Sequence, residues 1–273
     1  MTKSIRCTRV NHMNVALQNF DASVDHFRKL YGADFLLDIP SREWHAGLVE
    51  MGRVIFELFV PHDFLLNFRY GPHYVGVEYQ ADMDKVREAV AAHGIRIVRD
   101  IGVAIHTHPA DCFGVAFEFY GNYFHDNDWP LLGGQKMRPA AYWRDEHPLG
   151  LTGLKSYTVA VSDIDAAKTF FQSFLSAEVV YEAPRAAIAA RAVGLQVADA
   201  VVELITPVKD GTLQRHLHQF GDGIRSTVFG VRDIEQARRY FTERGVNLVP
   251  GGAPNTFAVP AEANLGVIFE FSE

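Results

Sequence analysis

Apolar residues recur along this chain in two rhythms. Met13, Val15 and Leu17 alternate with Asn14 and Ala16, the period of two that marks a strand with one buried face. The rhythm then lengthens. Val24, Phe27, Leu30 and Tyr31 recur at spacings of three and four up to Gly32, which predicts an amphipathic helix stopped by a glycine. Three strand-like segments follow at 35–39, 44–51 and 54–60, so the first unit reads as βαβββ. The same order returns as a strand over 73–79, a helix carrying Val86, Ala89 and Val90 and ended by Gly94, and strands near 95–101, 104–108 and 114–120. Helices over 164–174 and 234–241, the second with Gly245 as its stop, give the C-terminal half the same plan.

The halves also echo each other residue by residue. Val15-Ala16-Leu17-Gln18-Asn19-Phe20-Asp21-Ala22 returns as Val159-Ala160-Val161-Ser162-Asp163-Ile164-Asp165-Ala166. Phe56-Glu57-Leu58 returns as Val202-Glu203-Leu204, and the run Gly114 to Phe119 as Gly266 to Phe271. Nearly constant spacing points to duplication. Between the halves Pro130, Gly133, Gly134, Pro139 and Pro148 stand among polar residues, the composition of a connector. The reading is an α+β protein of four βαβββ modules in two tandem domains, 1–125 and 149–273, joined by a linker over 126–148.

Strand alternation sorts the polar residues by face. His12 shares its face with Asn14 and Ala16, opposite the apolar Met13, Val15 and Leu17 that would pack under a helix. Glu118 lies with Ala116 and Tyr120, opposite Val115, Phe117 and Phe119, and Glu57 lies opposite Phe56, Leu58 and Val60. His73 alternates with Val75 and Val77, so its parity is less informative.

With these residues in place the chain resembles the vicinal oxygen chelate superfamily, which includes glyoxalases, methylmalonyl-CoA epimerases, extradiol dioxygenases and antibiotic-resistance proteins. The run His108-Pro109-Ala110-Asp111 leading through Gly114 to Glu118 is similar to the epimerase and glyoxalase signature. The resemblance implies curved, partly open sheets around one divalent metal ion, Fe, Mn, Co, Ni or Zn. It implies His12, His73 and Glu118 as ligands, with Glu57 either a fourth ligand or a bystander. His106 and His108 are read as acid–base groups or as exposed polar residues of an edge strand, and His62 as an acid–base histidine or a solvated loop residue. Glu43 and His45 stand near the proton-transfer position of epimerase-like enzymes, Tyr74 and Tyr120 are cleft candidates, and His216 and His218 read as helix surface. In the second half Ser156 replaces His12 and Ser226 stands where a histidine is expected, while Glu203 and Glu270 remain. Without imidazoles that half makes a poor transition-metal site and is expected to shape a pocket or stabilise the fold.

Composition narrows the partners. A net charge of −7 with no basic run argues against nucleic acid and leaves a small molecule as the expected partner. The longest apolar runs fall short of the roughly 20 residues of a membrane span. Two cysteines, Cys7 and Cys112, without metal-type spacing or a secretory leader, suggest a reducing, cytoplasmic setting and no disulfide framework. A homodimer is compatible with the module plan. The expected activity is metal-dependent enolate-type proton transfer by an isomerase, epimerase or lyase. The alternatives are an Fe(II) ring-cleaving dioxygenase and a non-catalytic antibiotic binder.

Overall fold

The structure, a computed structural model, describes residues 3–63 and 71–273. The first module holds β1 (Arg9–Ala16), α1 (Phe20–Tyr31), β2 (Asp34–Pro40), β3 (Trp44–Met51) and β4 (Val54–Pro61). The second holds β5 (His73–Gln80), α2 (Met83–His93), β6 (Ile97–Asp100), β7 (Ala104–Thr107) and β8 (Ala116–Tyr120). The third is β9 (Leu151–Ala160), α3 (Ile164–Leu175), β10 (Glu178–Arg185), β11 (Ala190–Val197) and β12 (Ala200–Pro207). After α4 (Thr212–Phe220), the fourth comprises β13 (Gly223–Val231), α5 (Ile234–Thr242), β14 (Val249–Pro250), β15 (Phe257–Val259) and β16 (Ile268–Ser272). The fold is α+β, with two eight-stranded sheets in the orders β2-β3-β4-β1-β5-β8-β7-β6 and β10-β11-β12-β9-β13-β16-β15-β14.

Local chemistry sets the helix ends. The Asn19 side chain accepts the Ala22 N–H at 2.9 Å to open α1, and Gly32 closes it in the left-handed conformation at φ 66°. Asp163 and Asp233 cap α3 and α5 in the same way. In each module the first strand pairs parallel with the last, which the intervening helix makes possible.

The chain divides into two compact units that do not follow the sequence halves. One comprises Met1–Asn11, Val75–Tyr123 and Ser156–Arg225, chiefly the second and third modules. Its core is aromatic: Phe117 packs on Phe171 and Phe174 at 5.7 and 6.1 Å, and the buried Tyr79 and Tyr157 hydroxyls meet at 2.6 Å. The other comprises His12–Tyr74, Phe124–Lys155 and Ser226–Glu273, chiefly the first and fourth modules. Phe56 there packs against Phe27, Phe229 and Phe269, and Tyr31 against Phe241. In both units the rings lie on the helix side of their strands, which leaves the opposite strand faces for polar groups.

The segment read as a linker has irregular backbone, with single turns at Phe124–Asp126, Pro130–Leu132 and Tyr142–Glu146. It is nevertheless a packing element. Trp129 and Met137 are buried in one cluster with Leu36, Leu48 and Ile55, and Phe124 and Leu132 pack against it. Leu48 lies opposite Glu57 and Glu50 opposite Ile55 in the β3/β4 register, so the segment covers the polar-side face of the first module.

Glu50 is fully buried on that face. Its Oε1 accepts the Arg53 N–H at 2.6 Å, while among the described residues its Oε2 has no hydrogen-bond partner. Burial, opposed by the Arg53 hydrogen bond, raises its pKa from 4.5 to about 8.

Two outcomes follow from this packing. Trp129→Ala should lower the unfolding free energy by about 3–5 kcal/mol in urea denaturation, whereas a loss below ~0.5 kcal/mol would mark the segment as a mere tether. For Glu50, the folded chain binds more protons than the unfolded chain between pH 4.5 and about 8, so stability falls as pH rises through that window. Glu50→Gln lacks this loss. Its stability relative to wild type should therefore grow across the window by about 1.4 kcal/mol per unit of displacement, and parallel pH profiles would show that Glu50 is ionised in the fold.

Candidate metal centre

The register of β5 and β8 follows from their apolar residues. Val77 lies opposite Phe117 and Tyr79 opposite Phe119, and all four are fully buried on the helix side. Glu78, between them in sequence, points to the other face and lies directly opposite Glu118. Gly76 lets the strands meet: a Cβ there would stand 1.9 Å from the Ala116 carbonyl oxygen. On β1 the same alternation sets Met13 and Val15, both fully buried, on one face and His12 on the other.

One ligand atom from each of His12, Glu78 and Glu118 lies within 4.8 Å of the others. All three side chains are buried, at 3%, 1% and 9% exposure. His106, opposite Glu118 on β7, places its Nε2 3.2 Å from Glu118 Oε1. His12 Nδ1 lies 2.5 Å from Asn14 Oδ1, and the Phe124 ring packs against the imidazole at 5.2 Å between centroids.

This donor set fits a divalent cation. Two carboxylates held opposite each other away from water repel, and a doubly charged ion would balance them. One imidazole with two carboxylate oxygens suits the borderline and harder divalent ions, such as Mn, Fe, Co and Zn.

The trio contains Glu78 where the sequence reading expected His73. His73 opens β5 on the same alternation as Val75, Val77 and Tyr79, the face opposite Glu78, and its Nδ1 lies 2.8 Å from the Gly71 carbonyl oxygen. Glu57 is outside the trio as well; it is half-buried and lies beside Asn14 in the β1/β4 register. His108 caps the turn Pro109–Asp111 by accepting the Ala110 N–H at 3.2 Å. His62 and Glu43 are exposed at the end of the β3/β4 hairpin, where the His62 N–H donates to the Glu43 carbonyl. His45 stacks on Phe20 and pairs with Asp38. The signal for Glu78 was present in the sequence: a lone carboxylate between Val77 and Tyr79 repeats the pattern around Glu57, Glu118, Glu203 and Glu270.

In the second half the matching carboxylates have protein partners. Glu203 accepts from the buried Arg185 guanidinium and from the Tyr181 hydroxyl. Burial and then the neighbouring Glu203 charge push the Tyr181 pKa up. Glu270 accepts the Ser226 hydroxyl and the Gly252 N–H, each at 2.7 Å. Glu203 matches Glu57 and Glu270 matches Glu118, while Val228 stands opposite Glu270 where Glu78 stands opposite Glu118, so serine and backbone donors supply at Glu270 what a cation would supply beside Glu118.

Residues 153–256 match the family model of the Glyoxalase/Bleomycin resistance protein/Dioxygenase superfamily. A triple mutant of 4-hydroxymandelate synthase from Streptomyces coelicolor superposes with a TM-score of 0.77 at 12% identity, covering 97% of this chain and 92% of that one. Methylmalonyl-CoA epimerase from Mycobacterium tuberculosis is 24% identical with a TM-score of 0.42, over 44% of this chain and 87% of its own. No curated protein sequence matches the chain. Residues 153–256 are thus similar to that superfamily's model, and over 97% of its length the chain shares the fold of 4-hydroxymandelate synthase.

Proposed function

We propose that this protein is a divalent-metal-dependent enzyme that binds a small substrate through two adjacent oxygens and moves a proton next to its carbonyl group, as an isomerase, epimerase or lyase. The observation that carries this reading is the buried group of His12, Glu78 and Glu118. When bound, the ion would supply positive charge to the substrate oxygens and stabilise negative charge developing there as the proton leaves.

The chain's own residues divide the remaining work. His12, Glu78 and Glu118 hold the ion, and three protein donors leave room for a bidentate substrate on a six-coordinate centre. His106 orients Glu118 through their 3.2 Å contact. Phe124 and the segment packed behind it screen the His12 side from water. Glu57 shares the face of Asn14 without belonging to the ligand group, so it is assigned the proton transfer. The donor set favours this reading over ring cleavage by Fe(II), because it offers one imidazole where the usual oxygenase triad has two. Retention of a complete ligand group argues against a binder without chemistry. In this reading the N-terminal domain is catalytic, residues 126–148 connect it to a C-terminal domain without a catalytic metal, and that domain's role is structural.

Elemental analysis of the purified or Mn(II)-titrated protein should find one divalent ion per chain. His12→Ala, Glu78→Gln and Glu118→Gln should each abolish it, and His73→Ala should retain it. Glu57→Gln should keep the ion while slowing solvent deuterium exchange into 2-oxo acid or 2-acyl thioester substrates by roughly 10²-fold or more. A wild-type protein that takes up no ion would sink the reading. Turnover that needs dioxygen would transfer the site to ring-cleavage chemistry.

A further inference from the structure

We infer that Asn14 is a positioning residue for His12, selecting the imidazole tautomer and thereby the nitrogen that faces the metal. The inference rests on the metal-centre reading above and adds to it the group that prepares the histidine.

His12 and Asn14 stand two apart on β1 and share one face. The carboxamide oxygen lies 2.5 Å from Nδ1, and both side chains are buried, at 3% and 9% exposure. An amide oxygen only accepts hydrogen bonds. The contact therefore places the imidazole hydrogen on Nδ1, and a neutral ring protonated there carries its lone pair on Nε2. A metal ion takes that lone pair, so Nε2 is the ligand atom His12 offers to the group it forms with Glu78 and Glu118. Phe124 packs on the ring at 5.2 Å with an interplanar angle of 41° and limits its rotation. The hydrogen bond and the packed ring together hold one tautomer in one orientation.

The second half of the chain serves as an internal control. Aligning Val15 with Val159 puts Ser156 at the position of His12 and Thr158 at that of Asn14. Thr158 pairs with Glu203 in the β9/β12 register just as Asn14 pairs with Glu57 in β1/β4, so the backbone position is the same. The imidazole and the carboxamide are absent together. If Asn14 served only the strand pairing, the loss of the histidine would not require its replacement; an acceptor dedicated to the imidazole has no purpose once the ring is gone.

The test reads the tautomer directly, in metal-free protein labelled with nitrogen-15. Two-bond nitrogen–proton correlation spectra should show wild-type His12 protonated on Nδ1. Asn14→Leu, similar in size but without an acceptor, should shift the ring toward the Nε2-protonated form, and Asn14→Asp should restore the Nδ1 form. In Mn(II) and Co(II) titrations Asn14→Leu should weaken binding about 10–100-fold, with Asn14→Asp within about threefold of wild type. A wild-type ring protonated on Nε2 would overturn the proposal without any variant. So would an Asn14→Leu protein, folded by near-ultraviolet circular dichroism, that keeps both the wild-type tautomer and the wild-type affinity. If wild-type protein binds neither ion, the metal reading fails and the ligand role of Asn14 fails with it, while the spectrum separately reports whether Asn14 holds the ring.

Discussion

Two carboxylates are held face to face in the interior where β5 meets β8, and much of the N-terminal half is arranged to keep them there. Glu78 opposite Glu118 is unfavourable by itself. Register enforces it. Val77, Tyr79, Phe117 and Phe119 bury their side chains on the helix side, and a slip of one residue would turn that apolar set outward. The cost of exposing four large apolar side chains exceeds the repulsion between two carboxylates that a cation can relieve. Gly76 removes the last steric obstacle to the strands' approach.

The irregular segment between the sheets is as much a part of the site's surroundings as the strands are. Trp129 and Met137 complete an apolar cluster with Leu36, Leu48 and Ile55, and Phe124 reaches the His12 ring. On the same strand face burial raises the pKa of Glu50 to about 8, because the Arg53 N–H stabilises one oxygen but does not offset the desolvation of a full charge. Polar groups on this side of the sheet are thus kept dry by chain that has no regular secondary structure.

The second half keeps the carboxylates of Glu57 and Glu118, as Glu203 and Glu270, has Val228 where Glu78 stands, and balances the two carboxylates it keeps with protein donors. Arg185 and Tyr181 hold Glu203, and Ser226 with the Gly252 N–H holds Glu270. Permanent donors satisfy a buried carboxylate as a metal would, but they leave no open coordination position for a substrate.

Much of this organisation is legible in the amino-acid order. Periodicity located α1 and its Gly32 stop, the hairpin strands of each module and the four-module repeat, because burial of one face imposes a rhythm that needs no knowledge of partners. The same alternation put His12 and Glu118 on the polar side of their strands. What sequence alone did not decide were the contacts between segments distant along the chain. Glu78 enters the trio through a pairing with Glu118, forty residues away, whereas the family resemblance pointed to His73, whose own strand parity was uninformative. Trp129 and Met137 looked like parts of a connector because proline and glycine mark irregular backbone, and irregular backbone does not reveal where its side chains pack. Sequence determined which face each side chain takes; only tertiary structure decided which faces meet, since register and packing depend on residues that the local pattern does not contain.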